Sequence, residues 1–347
     1  MATVSQSIST RYDQIFLAFF VPLWYLFIYP DFGNLRLCDF RFCLTSKVGK
    51  GQEDYLSAQL PSQKSQFSLL PTPWPIALSI AGFDPSAGAG ILADLKTFAA
   101  HRVYGMACIT ALTVQNTQGV QSVQPISPST VNETLHCLAG DVRFAAIKIG
   151  MLATKDLAEG IVDFLSGQAG VPVVLDPVMI SSSGRILLDL AGQQVLRTRL
   201  LARANWITPN LNELAALTGS ATPITREEIE RGARMLLEMA AQLGNSALRV
   251  VVTGGHADSP DDLLMVAKLE GEKRQIEAHW FPGERIETRA THGTGCTFSS
   301  AIAAQLALNP KSADVVVVAA AKAYVAESMS AAYPVGQGNG PLNHFWK

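Results

Sequence analysis

Ile76-Ala77-Leu78-Ser79-Ile80-Ala81-Gly82-Phe83-Asp84-Pro85-Ser86-Ala87-Gly88-Ala89-Gly90-Ile91-Leu92-Ala93-Asp94-Leu95 is the stretch that decides the fold. Its first six residues form a short apolar run closed by Gly82, the pattern of a buried strand. Beyond the loop, Ile91, Leu92, Leu95, Phe98 and Ala99 recur at helical spacing. The order is strand, glycine-rich loop, helix, and it returns downstream. Residues 107–114 and 120–126 predict strands, and Ser127 caps a helix that has Pro128 at its first position. A strand over 145–149, a helix over 154–165, a strand over 171–175 and a short strand over 206–208 follow. Thr225 and Glu228 form a capping box for a helix reaching Leu243, and 248–253 is again an all-apolar strand. Continuous apolar strands separated by amphipathic helices predict an α/β fold, a mostly parallel central sheet covered on both faces. Two runs over 263–269 and 275–281, divided at Gly271, predict a small hairpin at the sheet edge, and 312–333 is an alanine-rich helix. In sheets of this kind ligands bind beyond the carboxyl ends of the strands, so chemistry is expected in the loops that follow them.

Composition narrows the classes. Hydrophobic residues make up 48% of the 347 residues and charged ones 16%, enough apolar material for a large core. A formal charge of −2 leaves no basic footprint for nucleic acid. The five cysteines (Cys38, Cys43, Cys108, Cys137, Cys296) are scattered without a CxxC pair, which predicts neither a zinc ribbon nor a disulfide framework and fits a reducing cytoplasm.

Residues 1–74 are of a different kind. From Gln14 to Pro30 there is no charge, yet the apolar run is at the short limit for a membrane span and Pro22 interrupts it. A single Arg11 precedes it and no small-x-small cleavage site follows. The polar, proline-bearing stretch 47–75 reads as a linker. We expect residues 1–74 to be an N-terminal extension outside the catalytic fold of 75–347, with an anchor or targeting segment as the alternative.

The loops carry the chemistry. Thr291-His292-Gly293-Thr294-Gly295-Cys296-Thr297 brackets a threonine with glycines and runs into a helical pattern, so backbone N–H groups and the helix dipole make an anion site with a thiol at its edge. Phosphoryl transfer is the reaction this suggests. Gly88-x-Gly90-x-x-Ala93 matches the dinucleotide fingerprint, but six residues separate Ala81 from Gly88, whereas the glycines of that motif follow the strand at once. A Walker-type GxxxxGK[ST] is absent, and Asp31-Phe32-Gly33 lacks the other protein-kinase motifs. Asp94, about one turn into its helix, is either a dipole-favoured charge or a group facing back toward the loop. Gln115 ends a strand with an amide that both donates and accepts, suited to a heterocycle with mixed hydrogen-bonding edges. Met151 is core filler or a thioether for a flat ring. Asp176 and the Asn210-x-x-Glu213 group, beyond neighbouring strands, are either helix caps or carboxylates holding Mg²⁺ through water.

With these residues assembled, the chain from Ile76 onward closely resembles the hydroxymethylpyrimidine and phosphomethylpyrimidine kinases of thiamine biosynthesis, within the ribokinase-like superfamily. The residues carrying the resemblance are 81–90, Ala111-Leu112-Thr113-Val114-Gln115-Asn116, Lys148-Ile149-Gly150-Met151-Leu152, Thr208-Pro209-Asn210 and 291–297. The resemblance implies a ribokinase-like three-layer α/β/α sandwich and ATP-dependent phosphorylation of 4-amino-5-hydroxymethyl-2-methylpyrimidine, then of its monophosphate. It implies that Gly82, Ala89, Asp94, Thr113, Gln115, Met151 and Val178 line the pyrimidine pocket, with Gln115 pairing to the ring. Gly293, Thr294 and Gly295 would form the anion hole, Asp176, Asn210 and Glu213 would serve ATP and Mg²⁺, and Cys296 would stand where most of the superfamily has an aspartate base. A homodimer is implied in the same way. Three positions depart from the pattern: Phe83 replaces a Ser or Thr, Ala87 a glycine, and Thr253 a lysine that would contact phosphate. Pyridoxal kinase and a non-catalytic pyrimidine-binding relative are the alternatives. A thiol at a helix N-terminus is expected to have a lowered pKa, so that its thiolate takes the proton of the attacking hydroxymethyl group.

Overall fold

In the computed structural model the described residues are 74–181, 183–254, 260–270 and 273–346. The apolar run of 14–30 and the linker up to residue 73 lie outside them. Strand β1 (Ile76–Phe83) leads through the glycine-rich loop into α1 (Gly90–Ala100), as its pattern requires. A long β2 (Tyr104–Asn116) and β3 (Gly119–Pro125) form an antiparallel ribbon. Then α2 (Pro128–Asp141), β4 (Ala146–Ile149), α3 (Lys155–Ser166) and β5 (Val173–Leu175) alternate. The segment 177–205 contains α4 (Leu190–Val195) running into a π-helical turn at Leu196–Leu200. The chain continues through β6 (Trp206–Ile207), α5 (Leu211–Thr218), α6 (Arg226–Gln242), β7 (Arg249–Val252), the hairpin β8 (Asp262–Glu270) and β9 (Lys273–Phe281), α7 (Thr294–Leu308) and α8 (Asp314–Ser330).

The sheet order is β3-β2-β1-β4-β5-β6-β7-β8-β9. β2, β1, β4, β5, β6 and β7 are parallel, and β3, β8 and β9 are antiparallel to their neighbours. The expected edge hairpin is present, and the ribbon of β2 and β3 makes a second one at the opposite edge. Side-chain alternation divides the core between the two faces. Leu78, Ile80, Ile147, Ile149, Val250 and Val252 pack with Leu135, Leu157, Ile161, Leu214 and Leu236 from α2, α3, α5 and α6. Ala77, Ala146, Val174 and Val251 point the other way and pack with Phe98, Ile302 and Val317 from α1, α7 and α8. The result is a three-layer α/β/α sandwich. The capping residues read in the sequence act as caps, Ser127 accepting from Thr130 N and Thr225 and Glu228 forming their box, and Thr154, expected as the first helical residue, is the N-cap of α3 and accepts from Leu157 N.

Because β1 and β4 are both in the parallel set, their carboxyl ends open toward the N-terminus of α7, where the anion-site sequence lies. This arrangement positions the site.

Candidate active site

A cavity of about 1350 Å³ opens there. It exceeds the roughly 300–1,000 Å³ of a pocket for one small ligand, so its volume is enough for more than one. Gly82, Ala89, Thr113, Gln115, Met151 and Val178 line one part. Asp176, Asn210, Glu213 and Thr253 also line the cavity, as do Gly293, Thr294, Gly295 and Cys296.

Two glycines are required by close approach. A Cβ on Gly82 would stand 2.7 Å from Met151 Sδ, so the bare backbone lets the thioether into the cavity wall. Gly293 is the N-cap of α7 at φ +84°, a left-handed conformation, and a Cβ there would collide with the carbonyl oxygen of Gly88. The first long-range backbone bond of α7 runs from Thr297 N to Gly293 O at 2.9 Å. The N–H groups of Thr294, Gly295 and Cys296 precede it and face the first turn, the geometry of an anion hole.

Asp94 is the correction among the pocket residues. It is wholly buried and outside the cavity wall. Ile91, Asp94 and Phe98 lie on one stripe of α1 at i, i+3, i+7, and that stripe, not the one through Leu95, faces the sheet. There Asp94 accepts from Ser79 Oγ at 2.5 Å, Ser300 Oγ at 2.7 Å and Lys148 Nζ at 2.9 and 3.0 Å. Lys148 carries no role in the sequence reading, although a lysine inside the apolar strand 145–149 is the signal that would have found it. β1 and β4 pair Ser79 with Lys148, and Lys148 shares the sheet face of Ala146. Gly150 makes room for the ammonium, since a Cβ there would come within 2.8 Å of Nζ.

Lys148 also lies 3.8 Å from Asp176 Oδ2, which accepts from Ser299 Oγ at 3.1 Å. Burial opposes its charge, but Asp94, Cys296 and Asp176 outweigh it and hold the ammonium above the ordinary lysine range. Cys296 corrects the expectation of an acidic thiol. Burial, with the Asp176 and Asp94 carboxylates adding to it, pushes the thiol up to about 12 despite Lys148 and the Gly90 N–H. The protonated thiol donates a hydrogen bond to Asp176.

Asp176 and Glu213 are both raised by burial, Glu213 to about 8 with the Asp176 carboxylate as the second cause. Two neighbouring buried carboxylates that resist ionising together are a fit for a cation. Among the described residues no cluster of three or more His, Cys, Asp or Glu side chains is placed to bind a metal, so the fit is to an ion that keeps much of its water, as Mg²⁺ does. Glu213 has a second role. With Asn210 it makes the capping box of α5, Asn210 N to Glu213 Oε2 and Glu213 N to Asn210 Oδ1 both at 2.9 Å. Of the two alternatives, the helix cap is thus present at Glu213.

This pairing predicts a pH dependence. The folded value of about 8 exceeds the usual 4.5, so the folded state binds more protons between them and loses stability as pH rises through that window. Glu213→Gln keeps the box, since glutamine serves at N3, and removes the charge. We expect its melting temperature without divalent cation to exceed the parent's by about 5 °C at pH 8.5 and to match it near pH 4.5. Equal melting curves at both pH values would refute the strain.

The comparisons with known proteins accord with this geometry. A family profile described as phosphomethylpyrimidine kinase matches residues 84–343. The hydroxymethylpyrimidine/phosphomethylpyrimidine kinase of Escherichia coli K12 is 43% identical over 271 residues, 78% of this chain and 97% of that protein. The chain belongs to the phosphomethylpyrimidine kinase family. The Staphylococcus aureus MSSA476 enzyme of the same name is 39% identical over 273 residues, 78% of this chain and 93% of its own. Among solved structures, phosphomethylpyrimidine kinase of Clostridium difficile 630 superposes at a TM-score of 0.59 with 33% identity, over 73% of this chain and 98% of its own. Pyridoxal kinase of Bacillus subtilis, as an ADP complex, superposes at 0.66 with 34% identity, over 78% and 97%. The fold is ribokinase-like, as the resemblance implied.

Within this family fold one further group was quoted in the motifs but given no role. His292 Nε2 lies 2.8 Å from Asp84 Oδ2 and 3.0 Å from the Gln115 amide. Asp84 also accepts from Ser86 N, Ser86 Oγ and Ala89 N at 2.7–2.9 Å, which closes the glycine-rich loop. Burial works against this carboxylate, but the bonds from His292 and Ser86 prevail and hold it below the usual aspartate range. Thr253, the departure from the lysine pattern, lines the cavity beside Asn210, to which it is bridged.

Proposed function

We propose that this enzyme transfers the γ-phosphoryl group of ATP to the hydroxymethyl group of 4-amino-5-hydroxymethyl-2-methylpyrimidine, and then to the resulting monophosphate, in thiamine biosynthesis. The observation that carries this is that Gln115 and Cys296 line one cavity at the α7 N-terminus, within a chain of the phosphomethylpyrimidine kinase family. Gly82, Ala89, Thr113, Gln115, Met151 and Val178 hold the ring. Gly293, Thr294 and Gly295 present N–H groups to the phosphoryl oxygens, where charge accumulates in the transition state. Asn210 and Thr253 contribute to the ATP side, and Asp176 and Glu213 are the residues that would hold Mg²⁺, which would supply charge neutralisation on the phosphates. ATP-binding relatives support the nucleotide assignment: a Staphylococcus aureus pyridoxal kinase of 28% identity is known as an AMP-PCP and pyridoxal complex.

Cys296 receives the proton of the acceptor hydroxyl. Because the thiol is itself protonated, the transfer is a relay: the hydroxyl proton moves to sulfur as the S–H proton moves to Asp176. No net charge is created on sulfur. Asp94 is assigned instead to the buried network under the site. The catalytic domain spans 75–347, and residues 1–74 are an extension to it.

A homodimer is part of the proposal, supported by the apolar outer face of β2 at Tyr104, Leu112 and Val114. Among the described residues Cys108, Cys137 and Cys296 are free thiols, which supports a cytoplasmic location. Among the described residues no helix is long and apolar enough to cross a membrane.

ATP consumption measured in parallel with hydroxymethylpyrimidine, its monophosphate and pyridoxal tests the function. We expect kcat/KM to be highest for hydroxymethylpyrimidine, and lower for the monophosphate because Thr253 offers its phosphate a hydroxyl in place of an ammonium. Turnover of pyridoxal alone would overturn the assignment, and binding without turnover of all three would make the chain a pyrimidine-binding relative.

A further inference from the structure

The polar groups around Gln115 share too few protons for the amide to be oriented either way. Thr113 Oγ1 donates to Phe83 O at 2.9 Å, and it lies 3.2 Å from one amide atom of Gln115. The hydroxyl has a single proton, already committed to the carbonyl, so toward Gln115 it offers only a lone pair. That amide atom must be the NH₂. At the other end, His292 Nε2 faces an Asp84 carboxylate that only accepts, so Nε2 carries the proton. The amide atom 3.0 Å from Nε2 must then be the carbonyl oxygen, since NH₂ against N–H would set donor against donor. Both ends demand the same orientation. It is the reverse of the nominal placement of Nε2 beside His292, and the network decides between atoms that look alike.

The orientation is reinforced by packing. A Cβ on Gly88 would collide with the His292 ring, so the loop that Asp84 closes also clamps the imidazole. His292 N is bound to Gly340 O at 3.1 Å, which fixes it from the C-terminal segment.

We infer that Asp84 and His292 are positioning residues that lock the Gln115 amide in one polarity, donor on the Thr113 side and acceptor on the His292 side. The inference rests on the proposed function, since Gln115 lines the acceptor pocket. The second N–H of the locked amide meets a ring nitrogen that accepts, and its oxygen meets an adjacent exocyclic amine that donates. A 4-aminopyrimidine edge has this pattern. A pyrimidin-4-one edge has the reverse, an N3–H donor beside a carbonyl acceptor, and a pyridine bearing a hydroxyl presents neither arrangement. The Asp84–His292 pair thus selects aminopyrimidines over their oxo counterparts.

The test uses the full-length enzyme, with dissociation constants from calorimetry for 4-amino-5-hydroxymethyl-2-methylpyrimidine and its 4-oxo analogue, and turnover measured on the same samples. The parent enzyme is expected to prefer the amino compound by at least about 100-fold, as sites built around buried polar groups do. In His292→Ala the amide is free to turn, and the preference is expected to fall at least tenfold. In Gln115→Glu both oxygens accept, and the preference is expected to invert. A parent enzyme that binds both compounds equally would overturn the inference. So would a His292→Ala variant in which both affinities drop in parallel, the mark of a purely structural role. Should that variant not fold, the Gln115→Glu inversion decides alone, and its absence counts against the lock. A parent that discriminates in binding but turns over neither compound would remove the proposed function and leave the lock standing.

Discussion

Cys296→Ala is expected to lower kcat by about 10²–10⁴-fold, the range for losing a positioned proton acceptor, with the dissociation constant of the pyrimidine changed by less than about threefold. The split follows from position. Cys296 lies in the first turn of α7, at the proposed anion hole, whereas most residues proposed to hold the ring lie at the ends of β1, β2 and β4. Pre-steady-state rapid-quench kinetics with calorimetric binding separates the two quantities. Cys296→Ser, whose hydroxyl can relay a proton toward Asp176, is expected to fall between alanine and the parent. Near-parent turnover of the alanine variant would show that positioning and charge stabilisation suffice without a proton acceptor at residue 296.

Lys148→Met is expected to cost about 3–5 kcal/mol of unfolding free energy, the range for removing one partner of a buried ion pair. Asp94 would keep its two serine hydroxyls but lose the only cation it contacts among the described residues, and Asp176 would lose a stabilising charge 3.8 Å away. Adding Asp94→Asn removes the stranded charge, so the double variant is expected to recover part of the loss, a non-additive result that urea titration of the double-mutant cycle would reveal. Additive losses would mean that the pair is not coupled. The folded-state value of Lys148 lies above the ordinary one, so its contribution is complete at neutral pH and disappears only as pH rises through that folded value. The same substitution removes the charge that helps keep Asp176 ionised as the final acceptor of the relayed proton, so turnover is expected to drop with stability.

The strain at Glu213 and the lock on Gln115 are consequences of the same architecture. Parallel strands bring their carboxyl ends together, and each end carries a polar group that the strand interior does not tolerate. The Asp176, Glu213 and Asp94 carboxylates then share a small volume with one buried ammonium.

Much of this was legible in the chain itself. Alternating apolar strands and amphipathic helices, the caps at Ser127 and Thr225, and the hairpin divided at Gly271 determined the layered α/β architecture, because burial on two sheet faces writes itself as local periodicity. Glycine spacing at Gly293-Thr294-Gly295 marked the turn that opens α7, since few other residues permit the N-cap conformation seen at Gly293. The state of the thiol was not legible. Local sequence places Cys296 at a positive helix end, but its protonation is decided by burial and by carboxylates from α1 and the end of β5, separated from it by more than a hundred residues. The same holds for Asp94, whose direction depends on which stripe of α1 meets the sheet, and for Lys148, which is acceptable in β4 only because α1 and α7 bring Asp94 and Ser300 to it. Periodicity is local and survives in the sequence. Electrostatic environment is the sum over neighbours from distant segments, and only the tertiary structure supplies them.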